Sequence, residues 1–172
     1  MILVKNMRSE RTKKLAQLIA LSILGVLLTA AKFVLSALPN VELVSLLLLC
    51  YTYKFGLRAL LPAYIFAFLE MLIYGVSLWN IMYLYVWAVL VFVALPFRKI
   101  RRAWVFGLIS GVYGLLFGVL CSIPYWFAFS PSFAISWIIS GLTFDLVHGI
   151  VNFAVAFILY IPITKALEKV DI

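Results

Sequence analysis

Of the 14 lysines and arginines in this chain, all except Lys32 lie in alternate gaps between long apolar runs. The gaps that hold them are residues 5–14, 54–58, 98–102 and 165–169, and the gaps between these carry neither residue type. Because the cytoplasmic loops of membrane proteins concentrate lysine and arginine, the pattern predicts that these four segments lie on one side of a membrane. Both termini are then cytoplasmic.

The composition excludes a water-facing globule. Hydrophobic residues make up 67% of the chain and charged residues 12%, with a mean hydropathy of +1.19. In hydrocarbon only helices and closed barrels satisfy every backbone group, and the apolar runs here are continuous rather than alternating, which predicts helices. The net charge of +8 is therefore a topology signal. A nucleic-acid-binding protein would carry its basic residues on one exposed domain.

We predict one all-α membrane domain over residues 1–172 with six transmembrane helices. The predicted spans are 15–37, 42–54, 58–76, 80–96, 103–121 and 134–163. The second is short and the sixth long, since a span needs about 20 residues. Residues 122–132, with two prolines and several aromatic residues, are the longest predicted outer loop. Its aromatic residues form either an interfacial belt or a flap over a ligand site.

Ionisable residues inside or at the ends of the apolar runs are the starting point for function: Lys32, Glu42, Glu70, Asp145 and His148. A charge at a helix centre costs about 2.5–3.5 kcal/mol on insertion scales, so each needs a partner or a wet cavity. Counted from the predicted loops, all five residues lie at one level in the outer half of the membrane. This clustering predicts an outward cavity, and the alternative is that Lys32 pairs with Glu70 or Glu42 only to hold the bundle together.

Aromatic and amide side chains near that level are available to line such a cavity: Tyr51, Tyr74, Trp79, Asn80, Tyr83, Tyr113 and Trp137. Aromatic walls with a few convergent polar groups are typical of small-molecule sites.

Asp145, His148 and Asn152 follow an i, i+3, i+7 pattern and share one helix face. The pattern predicts a buried imidazole that Asp145 orients, with a proton relay as an alternative. No second histidine or thiolate has a compatible spacing, so we predict no metal site and expect no cofactor. Cys50 and Cys121 are predicted to be small buried residues.

The chain is not expected to be an enzyme. It contains no GxxxxGK[ST] loop, which predicts that it does not hydrolyse ATP itself. An intramembrane hydrolase could pair Ser110 or Ser140 with His148, but the GxSG nucleophile motif is absent. A self-sufficient secondary carrier and a structural or assembly protein without a ligand are further alternatives.

Four segments together resemble one family over essentially the whole chain. They are Ala16–Ala20 (AQLIA), Leu38–Val44 (LPNVELV), Tyr53–Gly56 (YKFG), and Phe144–Gly149 (FDLVHG) followed by Asn152. In these segments the chain resembles the S components of energy-coupling factor (ECF) transporters.

The resemblance implies a small prokaryotic plasma-membrane protein that captures a vitamin with high affinity. Its implied partners are an ECF transmembrane coupling subunit and two ATPase subunits, with no nucleic acid. In the family the alanines of an AxxxA pattern form the docking surface, which here corresponds to Ala16 and Ala20. Alanines four residues apart let another helix approach closely. The implied transport step is a toppling of the whole subunit, driven by ATP hydrolysis on the partners.

The resemblance also implies a site built from the loop between spans one and two and from the outer parts of later helices. By position these include Asn40, Glu42, Glu70, Trp79, Asn80, Trp137, Asp145 and His148. Through the same resemblance, the LPNVELV turn implies cobalamin as a candidate vitamin. A smaller aromatic vitamin or precursor, such as pyridoxine or a hydroxymethylpyrimidine, fits the aromatic and acidic residues equally well.

Overall fold

The structure, a computed structural model, describes residues 2–170, with side chains from residue 10 onward. The side chains of Lys5 and Arg8, which belong to the first predicted cytoplasmic segment, lie outside this range, as do both terminal residues. The described chain consists of α1 (Ile2–Val34), α2 (Val44–Phe55), α3 (Leu60–Tyr74), α4 (Leu78–Ala94), α5 (Ala103–Leu115), α6 (Phe117–Ala128) and α7 (Pro131–Glu168), with short 3-10 turns at Gly56–Ala59 and Leu95–Phe97.

Within the described residues, five helical stretches are long and apolar enough to cross a membrane. They are Glu10–Val34, Val44–Tyr74, Leu78–Phe97, Ala103–Ala128 and Pro131–Glu168. This confirms the coarse prediction of an all-α protein with the helices of a membrane protein. The second stretch joins α2 and α3, which the charge pattern predicts to be two spans.

The chain reverses direction between α2 and α3. Gly56 has a φ of 60°, a backbone conformation that glycine adopts without strain, and it lies between the two helices. Beyond the reversal, the guanidinium of Arg58 donates to the side-chain amide oxygen of Gln17 at 3.0 Å, and Glu70 pairs with Lys32. These contacts align α3 parallel to α1, so the end of α3 returns to the level at which α2 begins.

The helix α2 lies inside the bundle. Its 12 residues span about 18 Å at 1.5 Å per residue, less than the roughly 30 Å of the hydrocarbon core. Most of its side chains are buried, and it packs against α4 and α7. Because neighbouring helices surround it, a short helix here does not expose backbone groups to lipid.

Glycines allow α5 and α7 to form the most extensive helix contact in the bundle. A Cβ atom on Gly114 would lie 2.9 Å from the backbone of Gly149, and one on Gly111 would lie 3.0 Å from Cβ of Phe153. Small residues at such a crossing let two membrane helices pack backbone to backbone.

The prediction of an outer loop at residues 122–132 is wrong, because α6 continues to Ala128 and only two residues separate it from α7. Pro124 lacks the N–H that would bond to the carbonyl of Leu120. The hydroxyl of Tyr85 on α4 donates to that carbonyl at 2.7 Å instead. The flap is therefore wrong as well, and Tyr125 packs against Trp137 with ring centroids 4.6 Å apart.

We expect Tyr85→Phe to lower the free energy of unfolding by about 1–3 kcal/mol, since the carbonyl of Leu120 loses its hydroxyl donor. Adding Pro124→Ala supplies a backbone N–H at the same place, so the double variant should recover most of that loss. Thermal unfolding in detergent measures both, with Tyr64→Phe on the exposed face of α3 as the control. A double variant no more stable than Tyr85→Phe would contradict this account.

Candidate ligand-binding site

A cavity of about 560 Å³ lies where the end of α1, the loop before α2, the start of α4, α6 and the first half of α7 meet. This volume is in the range of small-molecule sites, roughly 300–1,000 Å³. Apart from Lys32, the lysines and arginines of the described side chains lie away from it, several of them around a second pocket formed by Lys54, the α4–α5 connection and the end of α7. The predicted site residues that line the cavity are Asn40, Glu42, Trp79, Tyr83, Trp137, Asp145 and His148.

Asn40 lies in a tight turn that lines the cavity. The N–H of Val41 donates to the carbonyl of Leu38 at 3.2 Å, which closes a β-turn with Pro39 and Asn40 at its centre. Asn40 has a φ of 59°. Proline followed by a residue with positive φ is the pattern of a type II turn, and asparagine tolerates that conformation.

Glu42 connects this loop to two helices. Its Oε2 accepts the backbone N–H of Ser45 at 2.8 Å, at the start of α2. Its Oε1 lies 3.4 Å from Nε2 of His148 on α7. The predicted orientation of His148 by Asp145 is therefore wrong, because the imidazole instead faces a carboxylate from the loop.

The ionisation of Glu42 follows from these contacts. The N–H of Ser45 donates to one carboxyl oxygen, and the His148 imidazole lies beside the other. Both contacts favour the ionised form of a buried carboxyl.

Asp145 contacts the chain at the break between α5 and α6. Its Oδ1 accepts the backbone N–H of Gly118 at 3.0 Å, two residues after Leu116, where the helix is interrupted. A side chain that inserts into the backbone hydrogen-bond ladder is a known cause of such breaks. Among the described side chains, no cation forms an ion pair with Asp145.

Lys32 pairs with Glu70, which settles the choice between its two predicted partners. The carboxylate of Glu70 is 1% exposed and lies behind the cavity wall, whereas Lys32 lines the cavity. The Lys32 ammonium also lies 5.0 Å from the ring centroids of Tyr74 and Tyr83. Tyr74 is exposed, so its role is to cover this ion pair rather than to line the cavity.

Asn80 and Asn152 are buried and do not line the cavity. Asn80 donates to the carbonyl of Gly75 at 2.5 Å and closes the turn before α4. Asn152 donates to the hydroxyl of Ser45 at 3.3 Å, one helical turn beyond His148. Both side chains support the residues that face the cavity.

Several lining residues were missed from the sequence, notably Trp87, Phe117, Gly118 and Phe144. Trp87 follows Trp79 and Tyr83 at a spacing of four residues, and that helical pattern was the signal for one face of α4. Phe117 carries no such signal. Its ring lies edge-on to the His148 imidazole at 5.0 Å, a contact that only the packing of α6 on α7 creates.

Of the remaining predicted residues, Ala16, Ala20, Cys50 and Ser110 lie away from the cavity, whereas Cys121 and Ser140 line it. Ala16 is exposed and Ala20 partly exposed on α1, at the end remote from the cavity. Ser110 is buried in α5, and the hydroxyl of Ser140 donates to the carbonyl of Trp137 at 2.9 Å. Cys50 and Cys121 are buried and free, as predicted.

Comparison of the chain with protein-family models, with curated proteins and with solved structures gives no match. The chemistry of the cavity is therefore the main guide to function.

We expect Lys32→Met to lower the free energy of unfolding by about 3–5 kcal/mol, because it leaves a buried Glu70 carboxylate without its counter-charge. Lys32→Met combined with Glu70→Met removes both charges and should recover most of the loss. The control is Arg101→Met, which breaks an exposed pair with Glu168 and should cost at most about 1 kcal/mol. Equal thermal shifts for Lys32→Met and Arg101→Met would show that the inner pair does not stabilise the fold.

Proposed function

We propose that this chain is the substrate-capture subunit, or S component, of an ECF-type vitamin importer. The observation that carries the proposal is the cavity of about 560 Å³, which combines aromatic walls with the charged groups of Lys32, Glu42 and Asp145. Burying charged groups in a membrane protein is costly, and such residues generally mark a substrate pathway. A protein that serves only as a scaffold has no need of such a cavity.

The proposed topology has six crossings, with α2 and α3 counted separately and both termini in the cytoplasm of a prokaryotic cell. The reversal at Gly56 supports this count. The concentration of lysine and arginine at the ends remote from the cavity supports the orientation, through the positive-inside rule. The cavity then opens to the outside, where a nutrient is captured.

Transport is proposed to need partners. Ala16 and Ala20 lie on an accessible face of α1, flanked by exposed apolar side chains such as Ile19 and Ile23. Such a face suits close packing of a helix from the coupling subunit. Toppling of the subunit then carries the site inward, and the ATPase subunits supply the energy, so this chain is not itself catalytic.

The size of the cavity favours a small vitamin. Its volume of about 560 Å³ lies in the lower half of the range of small-molecule sites, roughly 300–1,000 Å³. Pyridoxine or a hydroxymethylpyrimidine fits within that volume. Cobalamin, with a corrin ring and a nucleotide tail, is much larger, so the cavity supports the small aromatic vitamins over the corrinoid.

The first test is a thermal-shift panel of vitamins and precursors, cobalamin included, on the purified chain in detergent. A ligand that binds only the folded state raises the melting temperature as its concentration exceeds its Kd. We expect a hit, and we expect Trp137→Ala to weaken its binding by about tenfold or more. Trp104→Ala, at an exposed position of α5, should bind normally. A well-folded protein that responds to no compound would favour a structural role.

The docking surface has its own test. Ala16→Trp and Ala20→Trp should abolish ATP-dependent uptake in membranes that contain the coupling and ATPase subunits, because an indole blocks close helix packing. Ligand affinity of the purified chain should not change. Leu18→Trp, on the opposite and exposed face of α1, is the matched control. Uptake that survives both alanine variants, or that needs no ATPase, would point to a self-sufficient carrier.

A further inference from the structure

The charges around the cavity are not balanced. Lys32 is matched by Glu70, and Glu42 faces His148. Asp145 also lines the cavity, is 7% exposed, and contacts no cation in the described part of the chain. Asp145 is therefore an acidic residue of the lining that has no basic partner among the described residues.

Asp145 also has unused hydrogen-bonding capacity. One carboxylate oxygen accepts from the N–H of Gly118, while Oδ2 has no hydrogen-bond partner among the described residues. A buried carboxylate that lacks partners is costly. Two glycines of the lining leave the space that this carboxylate occupies. A Cβ on Gly118 would lie 2.2 Å from Oδ2, and a Cβ on Gly141 would lie 3.9 Å from the same atom.

A second polar group in the lining is unpartnered. Trp87 is 3% exposed, and its indole N–H has no acceptor among the residues that the structure describes. Indole nitrogen is a donor only. Two side chains of the lining thus hold one acceptor and one donor that no described residue satisfies.

The apolar part of the lining is a continuous set of aromatic rings. On α4, Tyr83 lies between Trp79 and Trp87, at centroid distances of 6.1 and 5.5 Å. Trp137 on α7 lies 6.3 Å from Trp79, and Phe117 on α6 lies 5.7 Å from Trp87. Such rings stack on planar ligands and attract cations to their faces.

We propose that the ligand is an amino-substituted, planar nitrogen heterocycle, with its amine donating to Asp145 and its ring nitrogen accepting from Trp87. This inference rests on the proposed function and specifies the substrate class. The carboxylate supplies the counter-charge for a protonated ring or amine, and the aromatic rings hold the plane. A vitamin that offers only hydroxyl or carboxylate groups leaves the Asp145 charge unmatched.

Two pairs of probes test the inference by titration calorimetry on the full chain in detergent at neutral pH. Pyridoxamine and pyridoxine differ by an amine in place of a hydroxyl, and the amino form of hydroxymethylpyrimidine differs from its oxo analogue in the same sense. At least one amine should bind about 10- to 100-fold more tightly than its partner, as expected for a hydrogen bond to a charged group.

Asp145→Asn keeps the shape of the side chain and should reduce that preference to within about threefold. Gly118→Ala is a second variant, since its methyl group displaces the carboxylate from its position. Glu168→Gln, an acidic residue at the other end of α7, should keep the full preference. If neither site variant folds, the comparison of the probes on the unmodified chain still decides.

The outcomes separate this inference from the function on which it rests. Equal affinity within both pairs, a preference that survives Asp145→Asn, or a hit only among vitamins without an amino-substituted heterocycle would overturn the inference and leave vitamin capture standing. A folded chain that binds neither the probes nor any vitamin of the panel would overturn both.

Discussion

The close approach of α7 to α5 and α6 is the contact on which the cavity depends. Gly111 and Gly114 let the backbone of α7 come near α5, and Gly118 leaves the space into which the Asp145 carboxylate fits. Lipid tails are as apolar as leucine side chains, so helix packing in a bilayer relies on such shape matching rather than on the hydrophobic effect. A side chain at Gly118 would displace the carboxylate and change the cavity with it.

The buried charges fall into two groups with different consequences. Lys32 and Glu70 satisfy one another and join α1 to α3, and Glu42 joins the loop before α2 to α7. Within the described residues, only one carboxylate oxygen of Asp145 accepts a hydrogen bond. Because every charge at this depth is costly, we attribute the first group to the stability of the bundle, and Asp145 is the group for which we propose a ligand.

The sequence predicted the helical class and most of the helix positions, because a bilayer requires long apolar runs. It failed at residues 122–132, where prolines and aromatics are typical of a loop, because Tyr85 from another helix satisfies the carbonyl that Pro124 leaves free. Within the site, polar residues such as Glu42 and Asp145 could be predicted from the sequence, because ionisable groups are costly in hydrocarbon. Phe117 was not found, because only tertiary packing distinguishes it from other apolar residues.

The shortness of α2 has an electrical consequence. Its 12 residues span about 18 Å, so in the proposed topology the loop that begins the helix would lie below the level of the lipid headgroups. A water-filled cavity at that depth would shorten the distance over which the membrane potential falls. The potential would then drop across the protein between the cavity and the opposite side of the membrane. Moving one elementary charge through the full potential is worth about 2.3 kcal/mol per 100 mV. With the cavity outside, as proposed, a cationic ligand would gain part of that energy on binding, and an anionic ligand would lose it.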